Sequence, residues 1–202
     1  MISAGRPLPR AFYARTSLEV APELLGRLLV RILPDGTRLS VRIVEVEAYA
    51  EGDPASHSYR GRTPRNEVMF GGAGRLYVYF TYGMHFCSNV VVGRDGEGSA
   101  VLLRAAEPLE GLEEMMRRRG TEDPCLLCSG PARLTQALGI GRKENGEDLV
   151  RGTAVRIFEG LPVTASRIGR SGRIGVNVGA ERRWRFFVKE DPFVSKGRPA
   201  KP

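Results

Sequence analysis

Apolar and polar positions alternate most cleanly over Arg75 to Thr81 and Met84 to Val92, two runs joined by Tyr82-Gly83. That pattern predicts a β-hairpin with an aromatic residue at its tip. Arg27 to Leu33, a Pro34-Asp35-Gly36 turn and Arg38 to Tyr49 read as a second antiparallel pair. On the longer strand, period-2 counting puts Leu39, Val41, Ile43, Glu45 and Glu47 on one face, so two carboxylates continue an apolar stripe. Helical spacing of Leu18, Ala21, Leu24 and Leu25 predicts a helix from Ser17 to Leu25, with Ser17 as N-cap and Gly26 as the stop. Further on, a strand is expected over Ala100 to Ala105, a helix over Leu109 to Arg119, and a helix over Pro131 to Leu138 capped by Ser129. Strands are expected near Ala154 to Phe158, Val163 to Ile168 and Arg182 to Lys189. The Gly-, Pro- and Arg-rich stretch 50–74 is a long loop, a kind that in compact domains usually carries function. With no internal repeat and no linker, the order of elements predicts an α+β fold, a single domain over residues 16–195 around an antiparallel sheet with flanking helices. The basic segments 1–15 and 196–202 read as flexible termini.

A chain of 202 residues is the size of one domain, and 42% hydrophobic residues suffice for a real core. No apolar run reaches the length of a membrane span, and the N-terminus lacks the apolar run of a signal peptide, so a cytoplasmic location without membrane contact is expected. Three cysteines are too few for a disulfide framework. Charge adds direction: 31 Lys+Arg against 23 Asp+Glu give a net +8, which favours polyanionic partners such as nucleic acid or an anionic membrane, although compositional bias alone accounts for it equally well. Only Lys143, Lys189, Lys196 and Lys201 are lysines; the other basic residues are arginines, which bind phosphate bidentately but cannot act as amine nucleophiles.

Three local signals have simpler readings than function. Cys125-Leu126-Leu127-Cys128 has half the spacing of a zinc site but lacks a second ligand pair, so no metal is expected. Gly71-Gly72-Ala73-Gly74 runs into a strand rather than opening a helix, and so reads as a turn and not a phosphate loop. Met115 to Arg119 reads as a helix end with cations against the negative dipole.

The candidate chemistry falls between positions 45 and 104, on Glu45, Glu47, Tyr49, His57, Tyr77, Tyr79, Tyr82, Asn89 and Arg104. A carboxylate on an apolar strand face is a candidate general base, or else the partner of Arg42 or Arg104 in an ion pair. Aromatic residues beside a buried acid suit a pocket for a planar ligand. Tyr82, at a hairpin tip, gains little from the domain's own core and is placed to insert into a partner.

The segments Ile43 to Tyr49, Ser56-His57-Ser58, Thr63 to Asn66, Leu76 to Tyr79 with Tyr82-Gly83-Met84, Phe86 to Asn89, Val101 to Ala105 with Glu107 to Gly111, and Leu127 to Pro131 resemble, in order, the alkyladenine (3-methyladenine) DNA glycosylases. The resemblance spans most of the chain. It implies the formyltransferase C-terminal-domain-like fold, without a helix-hairpin-helix, metal or cofactor. It also implies Glu47 as the base that activates water, Arg104 holding that site, and Tyr49, His57 and Tyr79 around a flipped base. Asn89 would refuse the exocyclic amine of guanine, and Tyr82 would fill the gap in the duplex. The implied partner is double-stranded DNA containing damaged purines, bound by a monomer. His85, Ser56 and Ser88 depart from the family pattern, which bears on substrate range more than on reaction.

Two rival classes fit parts of the same pattern. A metal-dependent nuclease would use Glu45, Glu47 and Asp53 around a divalent ion. A non-catalytic minor-groove DNA- or RNA-binding module would use the arginines and Tyr82 and have no need of Glu47.

Overall fold

The computed structural model describes residues 5–81 and 83–199. Helices α1 (Arg10–Tyr13) and α2 (Ser17–Leu24) precede strands β1 (Leu28–Ile32), β2 (Arg38–Tyr49), β3 (Leu76–Thr81), β4 (His85–Val92) and β5 (Ser99–Glu110). Helices α3 (Leu112–Arg119), α4 (Pro124–Leu127) and α5 (Pro131–Leu138) follow, then β6 (Val155–Phe158), β7 (Ile168–Ser171) and β8 (Arg185–Val188). All pairings are antiparallel, in the order β3-β4-β5-β2-β1-β6, with the β7-β8 ribbon joined to β2 through β8. The fold is thus α+β, one domain around a curled antiparallel sheet.

The local chemistry differs from the sequence expectation in informative places. Thr16, not Ser17, caps α2: its hydroxyl accepts from the Glu19 N–H while the Glu19 carboxylate accepts from the Thr16 N–H, a reciprocal box that Ser17, buried one residue inside, cannot form. Gly130 precedes α5, and the Ser129 hydroxyl accepts from Arg133 instead of capping. Strand β5 runs on to Glu110, displacing the start of α3 to Leu112, and residues Ala165–Arg167 form a 3₁₀ turn where a strand was expected. The N-terminal segment docks rather than fraying over Leu8 to Tyr13: both of those side chains are buried, and Arg10 pairs with Asp148 at 2.6 Å. Gly74 ends its glycine run at φ +81°, where a Cβ would lie 2.9 Å from the Tyr13 ring, so this run is a close-packed turn. Cys128 is buried in the core. Among the described residues no group of three His, Cys, Asp or Glu side chains is placed to hold a metal ion, and no helix is long and apolar enough to cross a membrane.

The main core lies on one side of the sheet, where α2 packs on β2 and β5, α5 packs on β4 and β5, and α3 packs against α5. Strand β2 supplies Leu39, Val41 and Ile43 to it, then Val44, Val46 and Ala48. The inward face therefore changes from odd to even residues at Ile43-Val44. The register explains the change: Ile43 pairs with Ala106 and Glu45 with Ala105, leaving Val44 as an extra residue on β2. The next step pairs Val46 with Leu103, leaving Arg104 as the extra residue on β5. Two adjacent bulges thus turn Glu45, Glu47 and Arg104 away from the core, as bulges beside active sites commonly re-aim side chains. The stripe expected from strict alternation is broken here, and the carboxylates lie on the face opposite Leu39, Val41 and Ile43.

Candidate active site

On the face opposite the main core, one residue from each of five strands falls in register. Tyr77 pairs with Asn89, Asn89 with Leu102, Leu102 with Glu47, and Glu47 with Arg185. A cavity of about 260 Å³ opens over this row, with Tyr49, Tyr79, Asn89 and Arg104 in its wall, His57 from the loop and Ile174 from the segment after β7. Tyr77 and Tyr79 stack at 5.6 Å between centroids, and His57 meets Tyr79 edge-on at 4.4 Å. The walls are therefore flat and aromatic on one side and charged on the other.

Glu47 is fully buried, and its carboxylate accepts three contacts: the Ile174 N–H at 2.7 Å and Arg104 Nη1 at 3.3 Å on Oε1, and the Tyr49 hydroxyl at 3.0 Å on Oε2. Burial raises its pKa above the ordinary carboxylate value, against the opposing pull of Arg104, the Ile174 N–H and Tyr49. Glu45 has the opposite balance. Burial pushes it up too, but the Arg104 and Arg185 guanidiniums, at 2.8 and 2.7 Å, and the Ser195 N–H hold it below its ordinary value. Two carboxylates two residues apart are thus driven in opposite directions by their surroundings, a common mark of assigned roles. The ion-pair alternative is correct for Glu45 with Arg104, while Arg42 is engaged by Glu107 and Asp191.

The loop wall is built by polar clamps. Asn66 donates to the carbonyls of His57 and Gly61 and accepts from the Thr63 N–H, which fixes the turn that presents His57. His57 Nδ1 lies 3.1 Å from the Tyr77 hydroxyl, and desolvation with the nearby Arg65 charge lowers the His57 pKa, which favours the neutral ring. Burial pushes Tyr77 up to about 12, keeping its hydroxyl protonated. Asn89 is buried and donates through Nδ2 to the Tyr77 carbonyl at 3.2 Å. Asp53, weighed above as a metal ligand, is instead the centre of a buried ion pair: both its oxygens accept from Arg173, and Arg182 lies 3.3 Å away. With its oxygens taken by cations it cannot join Glu45 and Glu47 around a divalent ion. Arg173 also covers the Tyr49 ring at 4.6 Å and immediately precedes Ile174, so the Asp53 pair fixes two groups that contact Glu47.

The sequence-level candidates Glu45, Glu47, Tyr49, His57, Tyr77, Tyr79, Asn89 and Arg104 converge on this site, and Tyr82 lies outside the described residues. A family model described as methylpurine-DNA glycosylase (MPG) matches residues 11–192. The chain belongs to the methylpurine-DNA glycosylase family. It is 51% identical over 189 residues to a candidate 3-methyladenine DNA glycosylase of Carboxydothermus hydrogenoformans, covering 94% of this chain and 98% of the relative. A protein of the same description from Burkholderia orbicola is 51% identical over 96% of this chain and 94% of its own length. One from Methanoculleus marisnigri is 50% identical over 94% and 98%. Membership makes DNA the substrate and base removal in repair the activity. Within this glycosylase, Arg173, Arg185 and Ser195 were not visible from sequence. They meet their partners across 120 to 150 positions of chain, beyond the reach of any local pattern.

Proposed function

We propose that this protein is a monofunctional glycosylase that turns a damaged purine out of duplex DNA into the 260 Å³ cavity and hydrolyses its N-glycosidic bond with water activated by Glu47. The observation that carries the reading is a buried carboxylate of raised pKa, bonded to Arg104, Tyr49 and the Ile174 N–H, three residues that line an aromatic cleft. Extrusion costs roughly a few kcal/mol, least for a damaged or mispaired base. Stacking between Tyr49, His57 and Tyr79 offsets it, and Tyr82 fills the vacated stack as a wedge. As the bond breaks, positive charge develops at C1′. The Glu47 carboxylate both accepts the proton of the attacking water and stabilises that charge, while Arg104 orients the carboxylate. Cationic bases such as 3-methyladenine and 7-methylguanine leave readily once flipped; hypoxanthine and ethenoadenine, neutral at pH 7, leave only after protonation. The enzyme acts as a monomer in the cytoplasm, without cofactor. Duplexes carrying each of these lesions, incubated with the protein and then cleaved by alkali at abasic sites, test the proposal. Lesion-dependent cleavage that survives EDTA is expected, and its absence for every lesion leaves the binding module as the better reading.

Two further outcomes follow. Asn89→Ser shortens the cavity wall where a purine 2-amino group would point, so excision of 2-amino purines relative to hypoxanthine rises by roughly tenfold, as one small group in a pocket commands. Competition kinetics on paired substrates measure this ratio, and an unchanged ratio removes Asn89 from selection. Second, borohydride yields no protein-DNA adduct on a hypoxanthine duplex. A Schiff base needs an amine at C1′, yet Lys143, Lys189 and Lys196 are exposed and none lines the cavity; Lys201 lies outside the described residues. A lysine-dependent trapped band would contradict the water mechanism.

A further inference from the structure

Beside the proposed base lies a second buried carboxylate that the hydrolysis itself does not use. Glu45 is fully buried, and both its oxygens are engaged: Oε1 accepts from Arg104 Nε at 2.8 Å, Arg185 Nε at 2.7 Å and the Ser195 hydroxyl at 2.9 Å, while Oε2 accepts from the Ser195 N–H at 2.7 Å. Arg104 is therefore gripped by its Nε edge, and only its Nη1 end reaches Glu47, at 3.3 Å. The two bulges that leave Val44 and Arg104 as extra residues set this geometry, because they bring both carboxylates and the guanidinium onto the cavity side.

We propose that Glu45 is the positioning residue of the reaction, holding Arg104 by its Nε edge so that the guanidinium orients the Glu47 carboxylate without closing over it as a bidentate pair. A guanidinium released from Glu45 would turn its two-nitrogen fork onto the nearest carboxylate, the geometry arginine prefers. That carboxylate is Glu47, and both of its oxygens would then be withdrawn from water. The cations Arg185 and Arg104 against the anions Glu45 and Glu47 also make the cluster neutral, so a cationic lesion entering the cavity meets no net repulsion from it. The inference rests on Glu47 as the base.

Removal of the Glu45 charge acts on Glu47 in a predictable direction. Glu47 is faced by Arg104 from β5, Glu45 and Tyr49 from its own strand, Tyr79 and Cys87 from the hairpin, Arg173 from the segment after β7, and Arg185 in register on β8. In Glu45→Gln a like charge disappears and Arg104 is left with one carboxylate, and both changes favour ionised Glu47. The acid limb of excision therefore moves to lower pH, while the plateau rate falls by roughly 10²-fold, the scale on which small misplacements of a catalytic group act. DNA affinity is unchanged. A loss of rate through stability alone would leave the limb in place.

Single-turnover excision of 7-methylguanine from duplex DNA, measured against pH for wild type, Glu45→Gln and Glu47→Gln, makes the test. Glu45→Gln/Arg185→Met is run beside them because it removes the buried cation that the single variant orphans. The expected result is a lower plateau in both Glu45 variants, a downshifted limb in Glu45→Gln, and no excision by Glu47→Gln. Full activity of Glu47→Gln overturns the underlying reading. An inactive Glu47→Gln beside Glu45 variants with a wild-type plateau, or beside a Glu45→Gln limb that does not move, overturns the positioning role alone, as does failure of both Glu45 variants to fold.

Discussion

Glu47→Gln binds lesion-containing duplex within about twofold of wild type but loses excision by roughly 10³-fold or more, the range a general base commands. The substitution keeps the shape of a side chain that is wholly enclosed. Its amide oxygen can still accept from the Ile174 N–H, and its nitrogen can donate to the Tyr49 hydroxyl, so the wall of the cavity stands. Arg104 retains Glu45 as its anionic partner, so no buried cation is orphaned. What disappears is the proposed proton acceptor and the negative charge that the proposal sets against C1′. Gel-shift affinity and single-turnover rates separate the two effects. Equal loss of binding and excision would assign Glu47 to structure, and retained excision would remove it from the chemistry.

Asp53→Ala destabilises the fold by about 3–5 kcal/mol, because truncating one member of a fully buried pair leaves an uncompensated charge. Asp53 and Arg173 are both inaccessible to solvent, and Arg182 depends on the same carboxylate. Against a typical total of roughly 5–15 kcal/mol, such a loss brings the domain close to unfolding. Arg173 covers the Tyr49 ring and carries the chain into Ile174, so the surviving folded fraction also excises poorly. Chemical denaturation measures the first effect, and single-turnover kinetics below the transition measure the second. A variant as stable as wild type would show that Arg173 finds another partner.

The parts of this molecule that were legible in sequence are those written at short range. The β3-β4 hairpin alternates, so its existence and the shared face of Tyr77 and Tyr79 followed from period 2 alone, whereas its register did not: Thr81 lies opposite His85, one residue beyond the Met84 that a Tyr82-Gly83 connection implies. Strand β2 was located to the residue, yet its facing was misread, because a bulge leaves no local mark: Val44 looks like any other strand valine. The fork of β2, with β1 pairing at Arg38 to Arg42 and β8 at Glu45 to Glu47, depends on partners more than a hundred positions apart and explains why every side chain from Ile43 to Ala48 is buried. Asp53 shows the same limit: an acid in a Gly- and Pro-rich loop suggested a metal ligand, and only the fold brings Arg173 to it. The resemblance supplied the roles of Glu47, Arg104 and Asn89 that pattern alone left open, and the geometry supplies the physical context in which those roles are chemically reasonable.

The central claim is that ionised Glu47 activates the water that removes a damaged purine, and the pH dependence of the chemical step tests it most directly. 7-Methylguanine in duplex DNA is the right substrate, since its cationic base leaves without further protonation and adds no limb of its own. Burial holds Glu47 above the ordinary carboxylate range. The single-turnover rate should therefore fall as the pH drops through an acid limb displaced upward from that of a free glutamate, and this limb should vanish with the activity in Glu47→Gln. A rate independent of pH across that range, or the same limb surviving in Glu47→Gln, would contradict the account.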